Sequence, residues 1–506
     1  MRKVLLVFLL LILGLCAASP YFIGYQIKKS LYEVAAGFSQ DNKNFIVAIQ
    51  DYQGGWLSSD ATIEIRFQVP AAMSSSTPGA ELKTVTETIH SHILHGPLVQ
   101  EPLSGRFILA LAIIQSKAFI SGFDYTSSAS DHSVTDMTTW VDFKNHWHSQ
   151  YTQPSLAFTL GQVAQIHWQT ATGSFDFTLN NNQLAAYRFN IASKEMVVGL
   201  PSSTTLSEVN MDALQYENEF SKTSTGIWAG TAKMTLPILT IKKKDQTQIT
   251  LQDSQFENTI SNPNTNFYDF ALHIAVKNIQ TAAAVLPSLG PVQFNFSANH
   301  LNLAGVQALG DFFKAMHHQP LTDEERKTYF SLLPKLLTTT TLLNENLDAA
   351  TPDGKLLNEA HFSWQSTPVL PTNPQEMVQN ANTVITLRVA TALVDKLIAA
   401  HDGPATTTTP AATTSAANTA TTATTPASPG TSATNSTPAN AATPDTTTTA
   451  TTPTPPQTEQ QAPPTFKSTL DAWLEKGYVV KEGNDYVVLL KRENGVTTIN
   501  GKTPTP

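Results

Sequence analysis

Histidine is the residue type best placed to do chemistry in this chain, and it comes in groups. His90, His92 and His95 could offer ring nitrogens to a metal ion. In a strand, His90 and His92 share one face while His95 points to the other, and Glu87 is the one acidic neighbour. His146-Trp147-His148 puts two histidines on one face around a tryptophan, and His317-His318 falls at an expected helix end, where the dipole favours a cationic ring. All three groups read as structural. Gly495 to Thr503 (GVTTINGKT) imitates a phosphate-binding loop but has five residues between its glycines, one too many, and no helix to hold a phosphate. Asn500-Gly501 reads instead as a turn closing a strand. No nucleophile elbow, H-E-x-x-H, calcium loop or dinucleotide fingerprint occurs. No catalytic residue, cofactor or metal is therefore assigned.

The elements around these residues begin with an apolar run, Val4 to Ile27, between Arg2-Lys3 and Lys28-Lys29. Its length suits a bilayer crossing better than a cleaved signal, so residues 1–29 read as a transmembrane signal anchor. Cleavage after Ala18 fits tolerably, whereas the Leu15 before Cys16 argues against a lipoprotein. Charge at the two ends nearly cancels, and the short N-terminal tail favours exporting the rest. Cys16 is the only cysteine in 506 residues, so the body has neither disulfide nor thiolate site. A net charge of −9 with 14% charged residues excludes the basic surface of a nucleic-acid binder.

In residues 30–402 the dominant period is two. Ile63, Ile65, Phe67 and Val69 alternate with polar residues, as do Phe175, Phe177 and Leu179, then Phe270, Leu272, Ile274 and Val276, then Val292, Phe294 and Phe296. These are half-buried antiparallel strands. Thr322 and Glu325 form a capping box ahead of Leu332 and Leu336, and a helix is expected from Pro374 to Ala400. Residues 403–465, almost all Thr, Ala, Pro, Ser and Asn, cannot bury a core and read as a disordered linker. In residues 466–506, a helix capped by Ser468 and Asp471 and ended by Gly477 precedes two strands. The fold class is α+β, predominantly antiparallel sheet with a few helices.

Several strings occur in the order found in one family: Tyr52 to Ala61 (YQGGWLSSDA), with Gly55, Trp56, Ser58 and Ser59; His95-Gly96-Pro97; Thr351 to Gly354, with Pro352; and Asn494 to Lys502, with Asn500 and Gly501. The chain resembles the YdgA-like family of bacterial proteins, a domain of unknown function. The resemblance implies an inner-membrane, single-pass protein whose body faces the periplasm, with a homodimer as one expected assembly and its C-terminal segment docked on the body; it implies no activity. The motif residues also read structurally, with Gly54-Gly55 as a turn and Trp56 as a core anchor. Three functions follow as expectations. The first is a non-enzymatic scaffold that binds an envelope protein or itself; the second is a lipid or amphiphile carrier, with Phe107 to Ile114 lining an apolar groove; the third is an envelope-polymer hydrolase.

Overall fold

The computed structural model describes residues 2–40, 45–70, 82–100, 105–121, 124–160, 164–180, 183–201, 203, 206–244, 246–264, 266–282, 288–315, 321–364, 371, 373–402, 465–493 and 495–504. His317, His318, Asn494 and nearly all of the expected linker lie outside them. The chain starts with helix α1 (Arg2–Gln40), which carries Pro20 within it. For most of the apolar run, up to Ala17, only the backbone is described. Among the described residues no helix is long and apolar enough to cross a membrane.

Strands follow: β1 (Phe45–Gly54), β2 (Ser58–Pro70), β3 (Leu82–His95), β4 (Leu98–Gln100), β5 (Phe107–Leu109), β6 (Ala112–Ser121) and β7 (Asp124–Ser127). Next come β8 (Thr135–Val141), β9 (His146–Gln153), β10 (Leu156–Leu160), β11 (Ala164–Trp168), β12 (Ala171–Asn180), β13 (Gln183–Ser193) and β14 (Glu195–Gly199). Then β15 (Glu208–Asp212), β16 (Gln215–Lys222), β17 (Trp228–Lys243), β18 (Gln246–Asn264), β19 (Phe267–Thr281), β20 (Ser288–Leu289) and β21 (Val292–Asn302) lead to helices α2 (Leu303–Ala315) and α3 (Asp323–Leu332). The chain closes with β22 (Leu342–Thr351), β23 (Gly354–Ser363), α4 (Pro374–Asn380), β24 (Asn382–Ala390), α5 (Thr391–His401), α6 (Phe466–Lys476), β25 (Val480–Glu482), β26 (Asp485–Glu493) and β27 (Val496–Ile499).

Pairing is antiparallel throughout, and one ribbon runs β1-β2-β3-β6-β8-β9-β12-β13-β16-β17-β18-β19-β21-β22-β23-β24-β26. At the usual strand spacing its arc is roughly 77 Å. The ribbon forks at β17: β16 pairs with Trp228 to Thr235, and β15 pairs with Ile238 to Lys242. The second branch continues β15-β14-β11-β10-β7. Between the two segments the β17–β18 ladder lacks a pair at Pro237 and Asp253, and Asp253 takes φ 49°.

One face of the ribbon is apolar because the alternating residues fall in register. Ala61, Ile93, Ile114, Val141, Trp147 and Leu179 form a closed core with Ile27 of α1. Further along, a second small core joins the branches through Ala118, Val134 and Leu156. Trp168 of β11 donates its indole N–H to Ser193 Oγ of β13 at 2.7 Å, a further tie between them.

The Thr322–Glu325 capping box forms as expected, opening α3. The expected helix from Pro374 to Ala400 does not form as one piece. Thr383, Val384, Ile385, Thr386 and Val389 are β-branched, and β24 is gripped by β23 and β26 on both sides, so pairing overrides the helical stripe. The cap of α6 is Thr465, whose Oγ1 accepts from Ser468 N–H at 3.2 Å, rather than Ser468 with Asp471. Gly477 ends that helix at φ 70°. Phe107 to Ile114 is split between β5 and β6 and does not form one lining strand.

Candidate functional site

The region of interest is the apolar face and the end of the ribbon where α1 meets it. Tyr52, Ser59 and His95 sit on neighbouring strands β1, β2 and β3 and point inward beneath α1. Ser59 Oγ lies 2.8 Å from His95 Nε2, and the Tyr52 hydroxyl lies 2.9 Å from Ser59 Oγ and 3.2 Å from the Gly24 carbonyl of α1. His95 Nδ1 faces the Trp56 carbonyl at 3.3 Å. A neutral His95 that donates from Nδ1 accepts at Nε2 from Ser59, and the single Tyr52 hydroxyl proton is shared between Ser59 Oγ and the Gly24 carbonyl. Burial pushes the His95 imidazole below its ordinary 6.5, which fits this neutral form. A Cβ on Gly24 would meet the His95 ring, so any larger residue there would push the ring or α1 out of place. Ser59 and His95 superficially match a nucleophile and its base. Both are buried, and the network ties strands β1–β3 to the underside of α1.

The other motif residues are joints. Gly55 N–H bonds the Ser58 carbonyl at 2.8 Å across the β1–β2 turn, where a Cβ would lie 2.6 Å from that oxygen. Gly96, between His95 and Pro97, bonds the Leu111 carbonyl at 2.7 Å. Pro352 and Gly354 make the β22–β23 turn, closed by Thr351 Oγ1 donating to the Gly354 carbonyl at 2.8 Å. Asn500, in the turn with Gly501, donates from Nδ2 to the carbonyls of Tyr478 and Val487 at 3.0 and 3.1 Å, tying the segment just after α6 to β26. Trp56 is not a core anchor: it is 59% exposed at a hairpin tip, against Tyr21 of α1 with ring centroids 6.5 Å apart.

That tip belongs to an apolar rim. Tyr21, Phe22 and Tyr25 of α1, Trp56, Leu57, Leu98 and its β5 partner Leu109, Phe107 and Phe143 are all exposed, and the strand ends near them are hydrogen-bonded to one another. His95 N–H bonds Leu57, Gly96 bonds Leu111, and Leu111 bonds Val141, just before Phe143. From this rim the apolar face passes through Phe175, Phe177, Phe189 and Phe220 to the far strands. There Phe256, Ile274, Phe294 and Leu347 fall in register, flanked by Leu272 and Phe296. These far residues are half-buried, and none belongs to a cluster of buried residues among those described. Smaller residues of the same face, among them Leu236, Val276, Ala298 and Ala360, are buried between them. The polar members Glu345 and Asn358 satisfy one another at 3.3 Å.

The opposite face is polar. A trough of about 1150 Å³ crosses β2 to β13, but its charges are matched locally: His92 Nδ1 meets Asp60 at 2.7 Å, and Lys117 meets Asp131. His90 and His92 lie here, away from His95, so the three do not converge. His146 and His148 share this face as expected, with Asp142 and Asp176 beside them.

The match to known proteins covers the whole chain, residues 1–506, and is to a family described as bacterial proteins of unknown function, DUF945. The chain belongs to that family. The YdgA-like resemblance agrees with it. Neither a curated protein nor a solved structure matches.

Proposed function

We propose that this DUF945 member is a membrane-anchored envelope protein that binds a lipid or other amphiphile along the apolar face of its ribbon. The carrying observation is the half-buried ladder of Phe256, Ile274, Phe294 and Leu347, continuous with the face on which α1 packs. Uncovered apolar area of this extent is costly in water, at about 25 cal/mol per Å², and acyl chains would cover it. The apolar run of α1 supports a single crossing of the bacterial inner membrane, with the body on the periplasmic side. The aromatic rim supports seating at the bilayer surface, since Trp and Tyr favour that interface. Glu87 is a carboxyl whose pKa burial raises, and it stands in the ladder between Ile65 and Ile120 rather than beside a second acid. The hydrolase reading therefore gains no acid pair there.

Native mass spectrometry with lipid extraction, on the full chain purified in mild detergent, tests the reading. Stoichiometric bound lipid is expected. A lipid-free homodimer, or a complex with a second envelope protein in which Phe294 and Phe296 are protected, would replace it with the scaffold.

A further inference from the structure

The β8–β9 turn, on the polar face next to the apolar rim, gathers donors that the amphiphile-binding face does not use. Asn145 holds φ 64° in this turn and brings Asp142 back over His146. One donor atom each from Asp142, His146 and His148 lies within 4.8 Å of the others.

We propose that Asp142, His146 and His148 bind one divalent transition-metal ion of the zinc class, with Asp176 orienting His148. The donor set is right for such an ion: two imidazoles and a carboxylate suit zinc, cobalt or nickel rather than calcium or magnesium. Bond lengths of 2.0–2.2 Å place tetrahedral neighbours about 3.3 Å apart, so each donor must shift by less than about 1 Å. Asp142 Oδ2 already stands 3.3 Å from His146 Nδ1.

The carboxylate is aimed in advance. Asp142 Oδ1 accepts the backbone N–H groups of Lys144 and His146 at 2.7 and 2.9 Å, which leaves Oδ2 for the ion. His148 is positioned from two sides. Its Nδ1 lies 3.3 Å from Asp176 Oδ1, and the Trp140 ring stacks on it at 5.5 Å and 23°. Metal-binding histidines ordinarily have such a carboxylate on the other ring nitrogen, leaving Nε2 for the metal. Arg188, opposite Asp176 in the ladder, has its guanidinium on Glu219. The three ligand side chains are 35–40% exposed, open enough for an ion to enter and for water to complete its shell.

The test uses the full chain in mild detergent, stripped with a chelator and titrated with Zn²⁺ and Co²⁺. One zinc per chain is expected to survive buffer exchange. His148→Ala should weaken binding more than tenfold, and Asp176→Asn about tenfold. His92→Ala, at the separate His92–Asp60 pair, should leave binding unchanged. Because the variants could misfold, the wild type is also treated with diethylpyrocarbonate and mapped by peptide mass spectrometry. Zinc should protect His146 and His148 but not His90. No retained zinc, affinity untouched by His148→Ala, or equal labelling with and without zinc would overturn the site.

Discussion

Strands β1–β16 and strands β17–β26 carry the same alternation of apolar and polar residues, yet among the described residues the largest buried cluster lies on the first half, and the second half has a smaller one of Leu337, Trp364 and Ala381 against Leu343 of β22 and Phe362 of β23. In the first half, α1 supplies a second layer and Trp147, Ile93 and Val141 become fully buried; in the second half Phe256, Phe294 and Phe296 keep a half-buried face. Alternation thus makes an amphipathic surface, while closure depends on what lies over it. On the proposed function, the difference separates stability, held near α1, from amphiphile binding.

Removing a large side chain from each half should break that comparison most visibly. Trp147 stacks on Phe177 at 5.2 Å and is 5% exposed, so Trp147→Ala should cost about 3–5 kcal/mol. Phe294→Ala should cost less than half as much by thermal or denaturant unfolding. Equal losses would mean that the far face is a closed core. Next in size, Ser59→Ala leaves His95 Nε2 buried without its partner and should cost about 1–3 kcal/mol.

The same clamp should respond to pH. The folded-state pKa of His95 is lowered from 6.5 by burial, so its contribution is complete above 6.5. It is lost as pH falls from there through the lowered folded value, because the unfolded chain takes the proton first. Melting temperature followed against pH should show an extra decline below 6.5 that His95→Gln lacks; parallel curves would exclude His95 as the source.

The smallest effect is expected from deleting Thr406 to Pro456. The segment's two ends are held together where Asp402 accepts the backbone N–H groups of Phe466 and Lys467 at 3.1 and 2.7 Å. Closure entropy changes slowly with loop length, so stability should move by about 1 kcal/mol or less. A larger loss in calorimetry would show that the segment packs on the body.

Much of the sheet was legible because period-two runs such as Phe270 to Val276 depend on local pattern alone. The fork at β17 was not, because pairing one long strand with two partners is decided by contacts far apart in sequence. Val384, Leu387, Leu393 and Leu397 also match a helical stripe, and only the partners β23 and β26 decide for β24. The Tyr52–Ser59–His95 clamp was half visible: all three residues lay in motif strings, but their convergence depends on strand register. Asp142 carries no sequence sign of its place beside His146, because a tight turn, not spacing in a strand, brings it round. Trp56 carries no local sign that its hairpin ends at an exposed rim.

The central claim is that the inward face of the far strands meets an amphiphile. Photocrosslinking from benzoylphenylalanine placed at Phe294, or at the outward neighbour Asn295, in full-length protein in its native membrane tests it most directly. Lipid adducts at 294 and none at 295 are expected. Adducts at both positions, at neither, or only to protein would contradict the account.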